Sequence, residues 1–433
     1  MANIFYQYYF ILIPVSIIAL YFLIKYPEVS FALFINAYVI KGGINFGYFN
    51  LTAILLVVTV AGFVLKQLIK RDKNVDNLNF KFELSDKFIV LFVAVLLIGC
   101  IYSLNRNWGI IKTFRFIILV FVPYLLARIF LVKGNQIKLF LISVSITALG
   151  VSGILILKAV LGNYSGWRVK YFYANPIPVG TLIMVGLAIF IIGMTQNIFN
   201  RGKYSKLLCL IAIILLLHSI LLVASRGPLI SVIIGLIFYF VIIFKEKIKL
   251  KNVGIITIVL LSLIFIWISY SDIIFTNPIV NKIIPNARRL TMASANGLSG
   301  RTKIYSDAWQ LFKSKLFFGL GTGGYPGKGY PHNIFLEIGV ENGLLGLIVF
   351  FGFLFAICQK GYQFLNKNIL EINKQARVMG LIILVVGISL FIERQFSFGL
   401  DMHKDLFVFL GLIVNLPLID WGRNQEEMFL DKD

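Results

Sequence analysis

Twelve long apolar stretches alternate with short polar connectors along this chain, at 4–24, 49–65, 88–104, 114–132, 138–161, 179–197, 207–224, 228–244, 253–270, 334–358, 378–396 and 405–420. A helix of ~20 apolar residues crosses a bilayer. The runs are uniformly apolar rather than alternating, which argues against a β-barrel. A thirteenth run, 29–40, is short for a crossing and reads as partial or re-entrant. The pattern predicts an all-α polytopic membrane protein of about twelve transmembrane helices, a single integral membrane domain over 1–433. One polar stretch breaks the rhythm, a large extracytoplasmic loop at 271–331 that carries amphipathic helix.

Composition agrees: 59% of the 433 residues are hydrophobic and 14% charged, whereas soluble domains sit near 45–50% apolar. The net charge of +22 would suggest nucleic acid in a soluble protein. Here the basic residues fall in connectors, where they set orientation and meet anionic lipid headgroups, so no nucleic-acid partner is expected. Clusters at Lys66/Lys70/Arg71/Lys73, Arg201/Lys203/Lys206, Lys245/Lys247/Lys249/Lys251 and Lys360/Lys367/Lys374/Arg377 are placed inside by the positive-inside rule. Then 162–178 and 271–331 face outward, and with twelve spans the N-terminus lies inside. If 29–40 crosses, the N-terminus moves outside. No basic residue precedes the first apolar run and no small-residue cleavage site follows it, so that run is expected to remain as a helix. Cys100, Cys209 and Cys358 all lie in apolar runs and read as small buried hydrophobes, not as a disulfide or metal set.

The outward insert departs from the charge bias. It carries Lys282, Arg288, Arg289, Arg301, Lys303, Lys313, Lys315 and Lys328 against Asp272 and Asp307. Over 301–316, Ile304, Tyr305, Ala308, Trp309, Leu311, Phe312 and Leu316 recur at roughly helical spacing, with charges mostly opposite. That predicts an amphipathic helix lying in the membrane interface, opened by Ser299-Gly300.

Candidate chemistry gathers downstream. The turn from Gly319 to Gly329 has six glycines in eleven positions. Glycine allows positive φ and close backbone approach, so the turn is either an anion-binding nest or a flexible surface loop. It lacks the Lys-Ser/Thr of a P-loop. His332, one of three histidines, stands where the loop meets the next apolar run. It is a candidate general base or a capping, headgroup-contacting side chain. No second His or Cys lies nearby, so no metal is expected. Asn333, Glu337 and Glu341 follow at i, i+4 and i+8 on one helical face. Such groups inside a membrane face a cavity or one another, and Glu337 is a second candidate base.

Arginine supplies the cations suited to bidentate phosphate binding. Arg226 sits at a tight outward turn between two apolar runs, Arg168 in the outward loop ending Asn175-Pro176, and Arg301 at the start of the amphipathic stretch. All three are expected on one side of the membrane, and Arg226 has snorkelling to headgroups as its alternative. Arg115 and Arg128 read as snorkelling positions and His218 as an interhelical polar residue. Asp401, His403 and Asp405, near Glu393 and Arg394, read as a solvated last outer turn rather than as supporting groups of a site.

The Arg226 turn, Ser299-Gly300-Arg301 with Trp309 after it, Gly319-Leu320-Gly321, and His332-Asn333 through Glu341-Asn342-Gly343-Leu344-Leu345-Gly346 resemble, in that order, the shared region of O-antigen ligases and O-antigen polymerases. Ten residues separate His332 from Gly343, a spacing seen in these ligases, and the Arg168 loop is similar to an earlier motif of the family. The resemblance covers roughly 165–350. One departure stands before the glycine turn, where Lys315-Leu316-Phe317-Phe318 replaces a stretch that carries proline in many members.

The resemblance implies an inverting, metal-independent glycosyl transfer without cofactor, on the outer side of the bacterial inner membrane. The implied donor is a glycan on undecaprenyl pyrophosphate. The acceptor is the end sugar of another lipid-linked glycan in a polymerase, or lipid A-core in a ligase. A chain-length regulator is a possible partner of a polymerase. In this reading Arg226 and Arg301 hold the pyrophosphate, Arg168 assists, and His332 or Glu337 deprotonates the acceptor. Polymerisation of O-antigen or capsule repeat units is the favoured reading, because no extra outward module for lipid A-core is apparent. The alternative of a different class is a flippase, which would carry charges along several spans near the midplane.

Overall fold

The computed structural model describes residues 16–43, 50–71, 81–162, 169–196, 204–247, 301–326, 329–366 and 374–419. The fold is all-helical, and no strand occurs among these residues. In chain order the helices are α1 (Ser16–Lys25), α2 (Pro27–Ile35), α3 (Ala37–Gly43), α4 (Leu51–Arg71), α5 (Leu84–Ile101), α6 (Arg106–Phe130), α7 (Gly134–Val160), α8 (Pro176–Thr195), α9 (Ser205–Val223), α10 (Arg226–Lys247), α11 (Arg301–Ser314), α12 (Ile334–Asn366), α13 (Lys374–Glu393) and α14 (Lys404–Asn415).

Among the described residues nine helices, α4–α10, α12 and α13, are long and apolar enough to cross a membrane. This is a multi-pass membrane protein. Of the other three expected spans, 253–270 and most of 4–24 lie outside the described residues, and 405–420 contains only the twelve-residue α14. The run 29–40 does not form a straight crossing. Pro27 starts α2 and bends it 104° from α1; a second short helix, α3, follows Asn36. That geometry fits the partial or re-entrant reading.

The centre of the bundle is α8, α12, α13 and α14. Helix α12 packs on α5, α13 on α10 and α8, and α14 on the second half of α6. The core is aromatic at its middle, where Phe353 stacks on Phe407 with ring centroids 5.8 Å apart and meets Tyr124 edge-on. The Arg226 turn is tight, with Ala224 left-handed at φ 49. The two helices it joins do not pair along their length, however: α9 lies on α7 and α8, and α10 on α8 and α13.

Two local devices shape the end of the bundle that carries His332. Helix α12 breaks at Gly343, at φ 64 and ψ −158. A Cβ there would come within 2.4 Å of the Phe317 carbonyl. The amides of Leu344 and Leu345, freed by the break, donate to the carbonyls of Leu316 (2.8 Å) and Phe317 (3.2 Å). The second device is the glycine turn. Gly321 and Gly323 have positive φ, and a Cβ at either would stand 2.3 Å from Ser103 Cα or 2.7 Å from Gly109 Cα. The amides of Leu320, Thr322 and Gly324 donate to the carbonyls of Val340, Gly99 and Gly321. This turn is therefore neither a flexible loop nor an open nest over 319–324. Its glycines serve close packing against α5, α6 and α12.

Candidate functional site

The first turn of α12 is set by Asn333, whose side-chain oxygen accepts from Leu336 N at 3.0 Å as a helix cap. His332 precedes it at φ 58, a left-handed conformation costly for a residue with a Cβ. The imidazole is half-buried, meets the Tyr330 ring edge-on at 4.7 Å, and has a buried Nδ1 with no hydrogen-bond partner. Burial first, and the Arg301 cation second, hold its pKa below the ordinary histidine value. The imidazole is thus neutral near pH 7, with one nitrogen uncommitted.

Arg301 opens α11 and donates to the Phe396 carbonyl. Tyr305, one turn on, reaches the Gln395 carbonyl at 3.4 Å. Helix α11 is amphipathic as expected, with Ala308 and Phe312 buried against Val340 and Leu320, and Trp309 about half exposed. Arg226 begins α10, and its neighbour Gly227 lies against Glu393, 3.8 Å from an added Cβ to Oε1. Arg168 lies outside the described residues. The next residue, Val169, donates its amide to Leu222 at the end of α9, 3.3 Å away. The structure thus brings His332, Arg301 and the start of α10 to one end of the bundle.

Glu337 and Glu341 share a face as the spacing predicts, and what they face is Lys112. Its ammonium lies 2.6 Å from Glu337 Oε1 and 2.6 Å from Glu341 Oε1, with all three side chains almost fully buried. The second oxygen of Glu337 accepts from Leu400 N at 3.0 Å. Both carboxylate oxygens of Glu337 thus lie against buried donors, one an ammonium and one a backbone amide. Lys112 escaped the sequence reading because its partners are more than 200 positions away. The available signal was a lone lysine three residues before Arg115 on one helix.

The segment 393–405 corrects a second expectation. It is not a solvated turn: Glu393, Arg394, Asp401 and His403 are all at most 4% exposed. Arg394 pairs with Glu393 at 2.7 Å and with Asp405, and Asp401 pairs with Arg115 at 3.0 Å. His403 is buried with neither ring nitrogen partnered; burial, then Arg394, keep its pKa well below the ordinary value. These side chains look alike in sequence whether a turn meets water or is roofed by α11 and the start of α12, as here. Arg115 and Arg128 are likewise ion-paired rather than snorkelling.

Residues 211–351 match the family model described as O-antigen ligase. Over that segment the chain is similar to O-antigen ligases. The matched stretch, about a third of the chain, contains Arg226, Arg301, the glycine turn, His332, Glu337 and Gly343. Lys112 and the 393–405 segment lie outside it and pack against it through Glu337, Glu341 and Arg301. No curated protein matches the sequence.

Proposed function

We propose that the His332 end of the bundle transfers a glycan from undecaprenyl pyrophosphate to a sugar hydroxyl, on the outer side of the bacterial inner membrane. The observation that carries the reading is the pairing of a neutral, half-buried imidazole bearing an unpartnered Nδ1 with arginines at the same bundle end, within a segment of O-antigen ligase type. In the step, the acceptor oxygen bonds to the anomeric carbon of the donor as its proton passes to His332. The anomeric carbon–oxygen bond to pyrophosphate breaks, and its electron pair stays on the leaving group. Negative charge builds there, where Arg226 and Arg301, assisted by Arg168, stabilise it most at the transition state. The family resemblance implies that no metal or cofactor takes part. Glu337 is the weaker candidate base and serves better as a support.

Polymerisation of O-antigen or capsule repeat units is the first reading of the acceptor. The description of the matching family favours a second, transfer to lipid A-core. Reconstitution with an undecaprenyl-pyrophosphate-linked repeat unit, with and without lipid A-core, tests both. A ladder of longer lipid-linked glycans without lipid A-core supports the polymerase. Glycan appearing only on lipid A-core supports the ligase. Transport of the lipid-linked unit across the vesicle with no new glycosidic bond overturns the enzyme reading.

A further inference from the structure

We infer that Lys112 is a positioning residue of the proposed transfer site, acting through Glu337 and the 396–402 turn on Arg301 and His332. This inference rests on the glycosyl-transfer reading and deepens it.

The chain of contacts is continuous. Lys112 Nζ holds the Oε1 atoms of Glu337 and Glu341 at 2.6 Å each. Glu337 Oε2 accepts from Leu400 N at 3.0 Å, which ties the turn to the first turns of α12. On that turn the Phe396 carbonyl accepts from the Arg301 guanidinium. Gly399 packs on Tyr330, where an added Cβ would stand 3.0 Å from the ring, and Tyr330 lies against the His332 imidazole. The turn itself includes Phe398 in a left-handed conformation at φ 59, and such backbone is maintained only by its surroundings. Lys112 is therefore a cation in direct contact with two buried carboxylates, one of which sets the loop between the imidazole and a phosphate-holding arginine. A carboxylate left alone in that position is strongly disfavoured. Glu337 would shift or take up a proton, and its hold on Leu400 would loosen.

The groups facing His332 are Arg301 from α11 and Tyr330 from its own segment. Behind Tyr330 stand Glu337 from α12 and Asp401 from the turn. If the turn slackens, Arg301 moves away from the imidazole, and the acid limb of the pH–rate profile moves up toward the ordinary histidine value.

The test uses full-length protein in proteoliposomes with a lipid-linked repeat unit as donor, comparing Lys112→Met, Lys112→Arg and His332→Ala. Monodispersity and melting temperature are followed alongside. Misplacing reacting groups by about 1 Å costs about a hundredfold in rate. Lys112→Met is expected to lose about that factor in kcat, with its residual activity showing the raised acid limb. Lys112→Arg, which keeps the cation, is expected to recover much of the rate and the parental limb. If Lys112→Met does not fold, the Lys112→Arg profile and Glu341→Gln carry the test, since Glu341→Gln leaves the Lys112–Glu337–Leu400 link in place and should keep the parental limb. A folded Lys112→Met with parental kcat and pH profile overturns the inference while His332→Ala remains inactive. The same holds for a Lys112→Arg that folds yet neither recovers rate nor keeps the limb. Full activity in His332→Ala overturns the glycosyl-transfer reading itself.

Discussion

Two buried networks near opposite ends of α6 are built from the same residue types and differ in how completely their side chains are satisfied. At the Arg128 end, Asp86 at the start of α5 takes two hydrogen bonds from Arg128, at 3.0 and 2.8 Å, and one from Tyr124 at 2.7 Å. Arg128 also reaches Asn415 and the Lys81 carbonyl. The Asn415 amide donates to the carbonyls of Ala127, Leu131 and Arg128 where α6 ends. No buried polar atom of these side chains lacks a partner. At the other end, roughly 24 Å away by the rise along α6 from Lys112 to Arg128, His332 Nδ1, both nitrogens of His403, Arg394 Nε and Gln395 Oε1 have none. A fully paired buried network locks a fold. Unpaired buried groups are costly and concentrate where a ligand supplies the missing partners. The contrast separates a structural clamp from the proposed transfer site within one chain, although both read in sequence as charges at the ends of spans.

The contrast breaks most visibly at the clamp. Arg128→Met leaves Asp86 buried without its cation and should cost ~3–5 kcal/mol of stability. It should appear as a large drop in melting temperature and yield, while whatever protein folds transfers glycan at the parental rate per molecule. At the other end, Arg226→Lys and Arg301→Lys should leave melting nearly unchanged and lower kcat by about a hundredfold, the scale of losing one aligned charge stabiliser. Steady-state kinetics in proteoliposomes distinguishes the two patterns. Gly343→Ala falls between them: its Cβ would overlap the Phe317 carbonyl at a left-handed position, which costs ~1–3 kcal/mol, and misplacing α12 should lower rate and melting temperature together.

The smallest expected effect is in pH. His332 must be neutral to accept a proton, and burial with Arg301 holds its pKa below the ordinary value. Activity should therefore persist as pH falls through that ordinary value, ~6.5, and disappear only below it. Arg301→Gln removes a cation that opposes protonation, so its residual activity should fail at higher pH. Arg301→Lys keeps the charge and should leave the acid limb in place. A pH–rate profile of the three proteins measures this.

Much of this arrangement is legible from residue order. Apolar runs locate nine of the spans because burial in lipid demands ~20 consecutive apolar residues. Asn333, expected on the stripe of Glu337 and Glu341, caps the helix, whereas the shared face of the two glutamates follows from helical spacing. What faces that stripe does not, since Lys112 sits 229 positions before Glu341 and nothing local marks the pair. The glycine turn is ambiguous for a related reason: positive φ serves a nest or a tight crossing equally, and only the position of Gly109 and Ser103 against it decides. The segment 393–405 misleads because polarity in a short connector measures side-chain chemistry, whereas exposure depends on what lies above it. Here α11 and the first turn of α12 cover it.

The central claim is that the unpartnered imidazole at the half-satisfied end accepts the proton of the attacking hydroxyl. Its most direct measurement is single-turnover glycan transfer by purified His332→Ala in proteoliposomes, with donor bound to saturation and melting temperature matched to the parent. The account predicts donor binding retained and no new glycosidic bond. Transfer at the parental rate by that variant would contradict it.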